Sequence, residues 1–493
     1  MNNRIKLIIV SLAILPAIVS CKKEFFDLNP YESSPLEGVV QNDADLNVLT
    51  NGIYAGLLDA DPADADEASL YGRTLPIRGD LSADNIYLKT NNSGRYLQFR
   101  DFNQTVADGD VRGVWNDAYD IIKRANSVIN ASIESTVLVD QLKGEAYALR
   151  ALMHFELLRN FAIPYTVDPN APGVPIVTEF TQNARPARNT STEVYAQIVA
   201  DLNQAYTLMT QNQGDQLTIS STGTTRIQTS AYFSRYAAKA LLARVYQHMG
   251  NWQGARDAAL DVVQNSGFTL VSAGNYVNYW SDPSSRTDRV ETLFEVAADA
   301  GNNLSSNSLS NFYSLDGYGD VFVTLDLYNL YTENDVRTDV ITETNASGSS
   351  VYLVNKYPNT TNATDKDDTK VLRYADVVLI LAEAYANLND ETNARLYLNM
   401  LAKERIPGFA GYNSSGAQLL ADIIKERRLE LAFEGVRFYD LLRLNLPITN
   451  HIKSQSPLVP FPIEVTNNFR IFPIPQQELD VNENIRGQQN PGY

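Results

Sequence analysis

The sequence predicts a mainly α-helical protein whose scaffold is a set of helical hairpins, with long loop-rich insertions carrying short strands. Three observations lead there. Apolar residues recur at three- and four-residue steps in segment after segment, the mark of helices that bury one face. Two of those segments repeat each other across a short turn. Between the helical blocks the chain turns rich in Asn, Asp, Ser, Thr, Gly and Tyr and loses the period.

The N-terminus carries Arg4 and Lys6, then an apolar run from Leu7 to Val19, and closes on Ser20-Cys21. A basic start, a short apolar core and small residues before the cut describe a secretory signal over residues 1–20, too short for a membrane-spanning helix. Cys21 is the only cysteine. A signal that ends there resembles the bacterial lipoprotein lipobox, in which the thiol is acylated and the peptide is cut before it. Each buried CH₂ of an acyl chain contributes about 0.8 kcal/mol, so two or three chains hold a domain on a membrane. With no later cysteine, no intrachain disulfide can form, and stability must come from packing. The net charge of −18, from 58 acidic and 40 basic residues without a basic aromatic cluster, argues against nucleic acid and against a basic membrane-contact face. No second apolar run approaches transmembrane length, which leaves the lipid as the only anchor.

Helices are expected from Val114 to Ile133, Gly144 to Phe161, Glu193 to Met209, Tyr232 to Met249, Ala255 to Val263, Val371 to Leu388, Thr392 to Lys403 and Leu419 to Glu434. Ala243-x-x-Tyr246, a turn at Gly250-Asn251 and Ala255 align with Ala382-x-x-Tyr385, a turn at Leu388-Asn389 and Ala394. The small residues let two antiparallel helices approach, and the unit resembles a tetratricopeptide hairpin. Leu58 to Gln104, Gln211 to Thr229 and Ser266 to Thr369 read as long loops with short strands, and Pro460 to Tyr493 as extended chain wrapping the body.

His-Glu-x-x-His, a nucleophile elbow and a Walker loop are all absent from the sequence, and no cofactor is implied. His154 and His248 sit within helical segments and read as structural. Glu426, Glu430 and Glu434 share a helical face beside Arg427, Arg428 and Arg437, which reads as a charge network rather than glycosidase carboxylates. Asp59, Asp61 and Asp64 offer oxygen ligands for Ca²⁺. Their spacing breaks the EF-hand template, so a solvated acidic loop is the reading and a calcium site the alternative.

Sugar binding needs flat aromatic faces for pyranose rings and amides or carboxylates for hydroxyls. Two loops supply both. One contains Asp84, Tyr87, Asn91, Tyr96 and Phe99; the other contains Tyr313, Asp316 and Tyr318. Among the three tryptophans, only Trp280 stands in a loop-like context.

These motifs add up to a family. Gly144-Glu145-Ala146-Tyr147-Ala148-Leu149-Arg150 followed by Phe161-Ala162-Ile163-Pro164-Tyr165 is similar to the signature helix of the SusD/RagB lipoproteins. So are Val371-Leu372-Arg373-Tyr374-Ala375-Asp376, the run from Glu426 to Leu441, and the ending Phe472-Pro473-Ile474-Pro475 with Asn490-Pro491-Gly492-Tyr493. The resemblance runs from Cys21 to the last residue. It implies a single SusD-like domain over 21–493, with a helical scaffold spanning roughly 36–265 and 370–445 and a ligand-facing loop region spanning roughly 266–369. It further implies a surface-exposed outer-membrane lipoprotein, not an enzyme. Such a protein binds glycan, or in the RagB branch peptide, and closes over a SusC-like TonB-dependent transporter. A surface glycoside hydrolase is the remaining alternative. The resemblance also implies that the two tyrosine-bearing loops meet at the ligand face.

Overall fold

The computed structural model describes residues 40–59, 70–89, 91–179, 181, 184–299, 301–346, 348–360, 367–449 and 462–493. The signal segment, Cys21, Asp61, Asp64 and His451 lie outside these residues. Among the described residues there are sixteen α-helices and eight short strands. The helices of seven or more residues are α1 (Asp43–Leu58), α2 (Leu75–Leu81), α3 (Gly109–Ile129), α4 (Val137–Phe161), α5 (Ser191–Leu208), α6 (Arg235–His248), α7 (Trp252–Asn265), α8 (Tyr374–Asn387), α9 (Glu391–Arg405), α10 (Gly416–Glu430) and α11 (Arg437–Arg443).

From α3 to α10 each helix packs on the next labelled one in the chain, so the scaffold is a helical solenoid. The signature helix α4 lies between α3 and α5 and is buried almost all round, so its buried positions do not form a single stripe and include Glu145, Arg150 and Glu156. The two matching hairpins, α6–α7 and α8–α9, close with the same turn chemistry. Gly250 and Asn389 both take the left-handed conformation, at φ 67° and 62°. The following amides, on Asn251 and Asp390, donate to the Tyr246 and Tyr385 carbonyls, each at 2.9 Å. Asn251 and Asp390 then cap the next helix with their side chains. Ala243, Ala255, Ala382 and Ala394 are fully buried, and Tyr246 and Tyr385 are half-buried against the core. The arrangement is compatible with tetratricopeptide-type hairpins.

Some boundaries differ from the sequence expectation. Val371 to Arg373 do not open α8 but belong to strand β8 (Thr369–Arg373), which pairs antiparallel with β4 (Thr292–Val296). Helix α10 stops at Glu430 because the chain turns sharply through Phe433 and Gly435, both at positive φ. Glu434 therefore leaves the helix that carries Glu426 and Glu430. Helix α1 and helix α2 were not expected, and α2 lies in a segment read as loop. The remaining strands are β1 (Ile86–Leu88), β2 (Gln216–Ile219), β3 (Thr224–Ile227), β5 (Val321–Val323), β6 (Ile341–Ala346) and β7 (Ser349–Val354), forming the two-stranded pairs β1–β5, β2–β3 and β6–β7. The C-terminal stretch runs along the body, with Phe472 donating its amide to the Asn160 carbonyl at 2.7 Å, but it also forms a short helix at Gln476–Val481.

The interior carries an extended ionic network. Arg373 bridges Glu291, Glu430 and Glu434; Arg405 bridges Glu291 and Glu430; Arg337 joins Asp335 to Glu426. A neighbouring group joins Arg244, Arg427 and Arg443 to Asp376, Asp440 and Glu383. Burial alone would raise the Glu430 carboxyl, but Arg405, Arg373 and Arg337 hold it well below the usual carboxylate range. These carboxylates pin β8, α8, α9, α10 and α11 to one another.

Asp80, at the end of α2, is a buried carboxylate of another kind. It accepts hydrogen bonds from the Tyr313 hydroxyl at 2.7 Å and the Gly435 amide at 3.1 Å. Burial pushes it up to about 7 despite those bonds and the Lys356 charge. The folded chain thus keeps a proton that the unfolded chain releases near 3.8. The parent should lose stability relative to Asp80→Asn as pH rises from about 4 to about 7, by up to about 1.4 kcal/mol per pH unit, and the gap should level off above that. Urea midpoints of both proteins across that window check this; a gap that stays constant contradicts it.

Candidate functional site

Strand β1 exposes alternate residues. Ile86 and Leu88 point into the core while Tyr87 between them stays half-exposed. Its partner β5 is buried throughout and sits in register, with Tyr87 opposite Phe322 and the two rings edge to face at 5.8 Å. The pairing brings together the loops that follow β1 and precede β5. The Lys89 amide donates to the Asp320 carbonyl at 2.9 Å, and its ammonium donates to the Tyr318 carbonyl at 3.0 Å. Ser93 donates both its amide, at 2.8 Å, and its hydroxyl to the Asp320 carboxylate. The two loops are thus stapled into one surface that carries Tyr87, Asn91, Arg95, Asp316 and Tyr318.

Local constraints hold this surface in shape. Tyr96 takes φ 59°, unusual for a bulky residue, and its ring is buried between Phe99 and Phe312 at 5.7 Å from each. It anchors the end of the first loop. In the second, a Cβ on Gly317 would stand 2.4 Å from the Asn311 carbonyl oxygen, which lets only glycine follow this tight path.

Several predicted contact residues prove to be packing residues. Phe99 and Tyr313 have no exposed surface and Tyr96 almost none. The Tyr313 hydroxyl is spent on Asp80, and its ring stacks on Tyr357 at 5.6 Å. Trp280 is buried in a small cluster with Tyr276, Tyr279 and Val340, under the Lys356 ammonium at 4.3 Å. Asp84 is buried in a two-pronged ion pair with Arg437, at 2.8 and 2.9 Å. Burial would raise its carboxyl, but Arg437 and Arg428 hold it below the usual range. The physical reason is common to all five: partners far along the chain close over loops that look open in sequence. Tyr87, Asn91, Asp316 and Tyr318 remain at the surface.

Two features escaped the sequence reading. Lys89 follows Tyr87 in the strand alternation, which was the available signal for its position. Tyr328 and Tyr352, from the short helix Leu325–Tyr328 and from β7, stack at 3.8 Å as a half-exposed pair. Nothing in the sequence links positions so far apart.

The histidines and glutamates singled out in the sequence are buried or engaged. His154 is buried, donates from Nδ1 to the Arg150 carbonyl at 3.0 Å, and is pushed down to about 3 by burial and Arg150. His248 is likewise buried and held well below its ordinary value. Glu426, Glu430 and Glu434 are all engaged by basic side chains. No metal-holding group of His, Cys, Asp and Glu occurs among the described residues, and no helix among them is long and apolar enough to cross a membrane.

The helical scaffold with its small two-stranded sheets is shared with solved SusD superfamily structures. Residues 337–493 match the SusD family, and residues 24–247 match a family described as starch-binding, associating with outer membrane. SusD-like protein P2 of Formosa agariphila is 27% identical, over 98% of this chain and 99% of that one. A SusD superfamily protein of Bacteroides thetaiotaomicron is 29% identical and superposes with a TM-score of 0.76, covering 92% of this chain and 100% of that one. A laminarin-binding SusD-like protein shares the fold at a TM-score of 0.69 and 22% identity, with 92% of this chain and 100% of that one covered. The two family matches together cover most of the chain, which is similar throughout to SusD-like proteins.

Proposed function

We propose that this chain is a surface-exposed outer-membrane lipoprotein that binds glycan on the β1–β5 face and delivers it to a SusC-like TonB-dependent transporter. It acts by binding and not by catalysis. The observation that carries the reading is the union of the two tyrosine-bearing loops into one surface by the β1–β5 ladder and the Ser93–Asp320 contacts. Half-exposed rings, amides and a carboxylate there match what sugar hydroxyls and pyranose faces require. The family match near the outer membrane and the laminarin-binding relative support it further. Anchoring rests on acylated Cys21, outside the described residues.

Affinity electrophoresis against a panel of polysaccharides tests this reading. Retardation by at least one glycan is expected. If every glycan fails while a peptide mixture is retained, the RagB-like peptide reading replaces it, and release of reducing ends by the pure protein would support a hydrolase.

A further inference from the structure

We infer that the glycan taken by this face is anionic, carrying uronate carboxylates or sulfate esters, and that Arg95 with Lys89 receives the anionic group. This rests on the glycan-binding reading above. Tyr318 looks in sequence like a bare stacking platform, but its ring is already covered: the Arg95 guanidinium lies 3.9 Å from the ring centroid. A sugar cannot stack on that face without displacing a cation that the ring's π cloud attracts. The face therefore presents guanidinium N–H donors where a bare ring would present carbon.

The charge state of those donors matters. Most of the buried arginines are matched by carboxylates, although Arg78 and Arg470 are not, and neither Arg95 nor Lys89 has a carboxylate within 4.0 Å among the described residues. Among the described residues the Arg95 side chain makes no hydrogen bond, and the Lys89 ammonium makes one, to the Tyr318 carbonyl. Neither neighbouring carboxylate forms an ion pair with them. Asp320 is taken by Ser93, and Asp84 by Arg437 and Arg428. Asp316 is exposed on the second loop. In a chain with net charge −18, Arg95 and Lys89 place two cations side by side on one loop surface. A guanidinium held flat on a ring keeps its outer edge free for a planar two-oxygen partner, and it is ordered in advance so that less entropy is lost on binding.

The test is calorimetric titration of the full-length chain in detergent with matched probes: polygalacturonate and its carboxyl-reduced form, and a sulfated galactan and its desulfated form. One acidic probe should bind about tenfold more tightly than its neutralised counterpart, the worth of a charge-assisted hydrogen bond, and the preference should shrink at high salt. Which pair shows the difference tells carboxylate from sulfate. Arg95→Gln should abolish the preference without shifting the melting temperature, Lys89→Gln should reduce it, and Arg95→Lys should restore part of it. Equal binding of both members of each pair, or neutral glycans alone, overturns this inference and leaves glycan binding standing. An unchanged preference in both Arg95→Gln and Lys89→Gln overturns the assignment of the residues. Binding of no glycan removes the underlying reading and this one together.

Discussion

Arg405→Ala should destabilise the protein by about 3–5 kcal/mol, the cost of stranding buried charge. The side chain has no exposed surface and donates to Glu430 at 2.9 and 3.1 Å, to Glu291 at 3.2 Å and to the Val271 carbonyl at 2.8 Å. Its removal leaves both carboxylates short of counter-charge where water cannot reach them. Arg373 and Arg337 remain beside Glu430 and limit the damage, so the effect falls inside that range rather than beyond it. The exposed pair Arg256–Asp257 is the control: at a similar N–O distance of 2.6 Å, Arg256→Ala should cost about 0–1 kcal/mol. Urea unfolding of the two variants measures the contrast. Equal midpoints would show that the network contributes no more than a surface pair.

Gly79→Ala should be nearly as damaging, at about 3 kcal/mol or the loss of soluble protein, at or above the upper end for overpacking. A Cβ at position 79 would stand 1.9 Å from the Gly435 carbonyl oxygen and 2.4 Å from its carbon, so the clash is with backbone and no rotamer relieves it. The opposing chain cannot retreat either. Gly435 is held at φ 71°, and a Cβ there would stand 2.6 Å from the Pro76 Cα. Helix α2 and the turn after α10 thus meet glycine to glycine, and this contact positions Asp80 under Tyr313. Gly52→Ala reverses the sign. It lies within α1 with nothing within 4 Å of its would-be Cβ, so the change should stabilise by about 0.5–1 kcal/mol. Thermal unfolding of both variants reads the opposite shifts, and a destabilised Gly52→Ala would contradict the argument.

Much of the scaffold was legible because helix periodicity is imposed by burial against neighbours. Helices α5, α6 and α9 appear within a few residues of where their apolar spacing put them. The repeat was legible because Gly250 and Asn389 serve one local need, a left-handed turn. Helix α1 was not, since Gly52, Gly56 and two asparagines interrupt its pattern; Gly56 faces Ile121 of α3 so closely that only a hydrogen fits. Exposure within the loops was the least legible property. Tyr313 and Tyr318 lie five residues apart in equally polar sequence, and what separates them is Asp80, 233 positions upstream of Tyr313, which buries one ring and leaves the other at the surface. Composition located the two loops and the ladder joined them, but the choice among their aromatics depended on contacts made only in three dimensions.

Calorimetric titration of Tyr318→Ala with a glycan that the wild-type chain retains tests whether the β1–β5 face binds glycan. Tyr318 lies at the surface under Arg95, so truncation should cost about 1–3 kcal/mol in binding and leave thermal unfolding within about 0.5 kcal/mol of the parent. Binding that matches wild type in Tyr318→Ala, and again in Tyr87→Ala, would place the ligand away from the β1–β5 face and contradict the account.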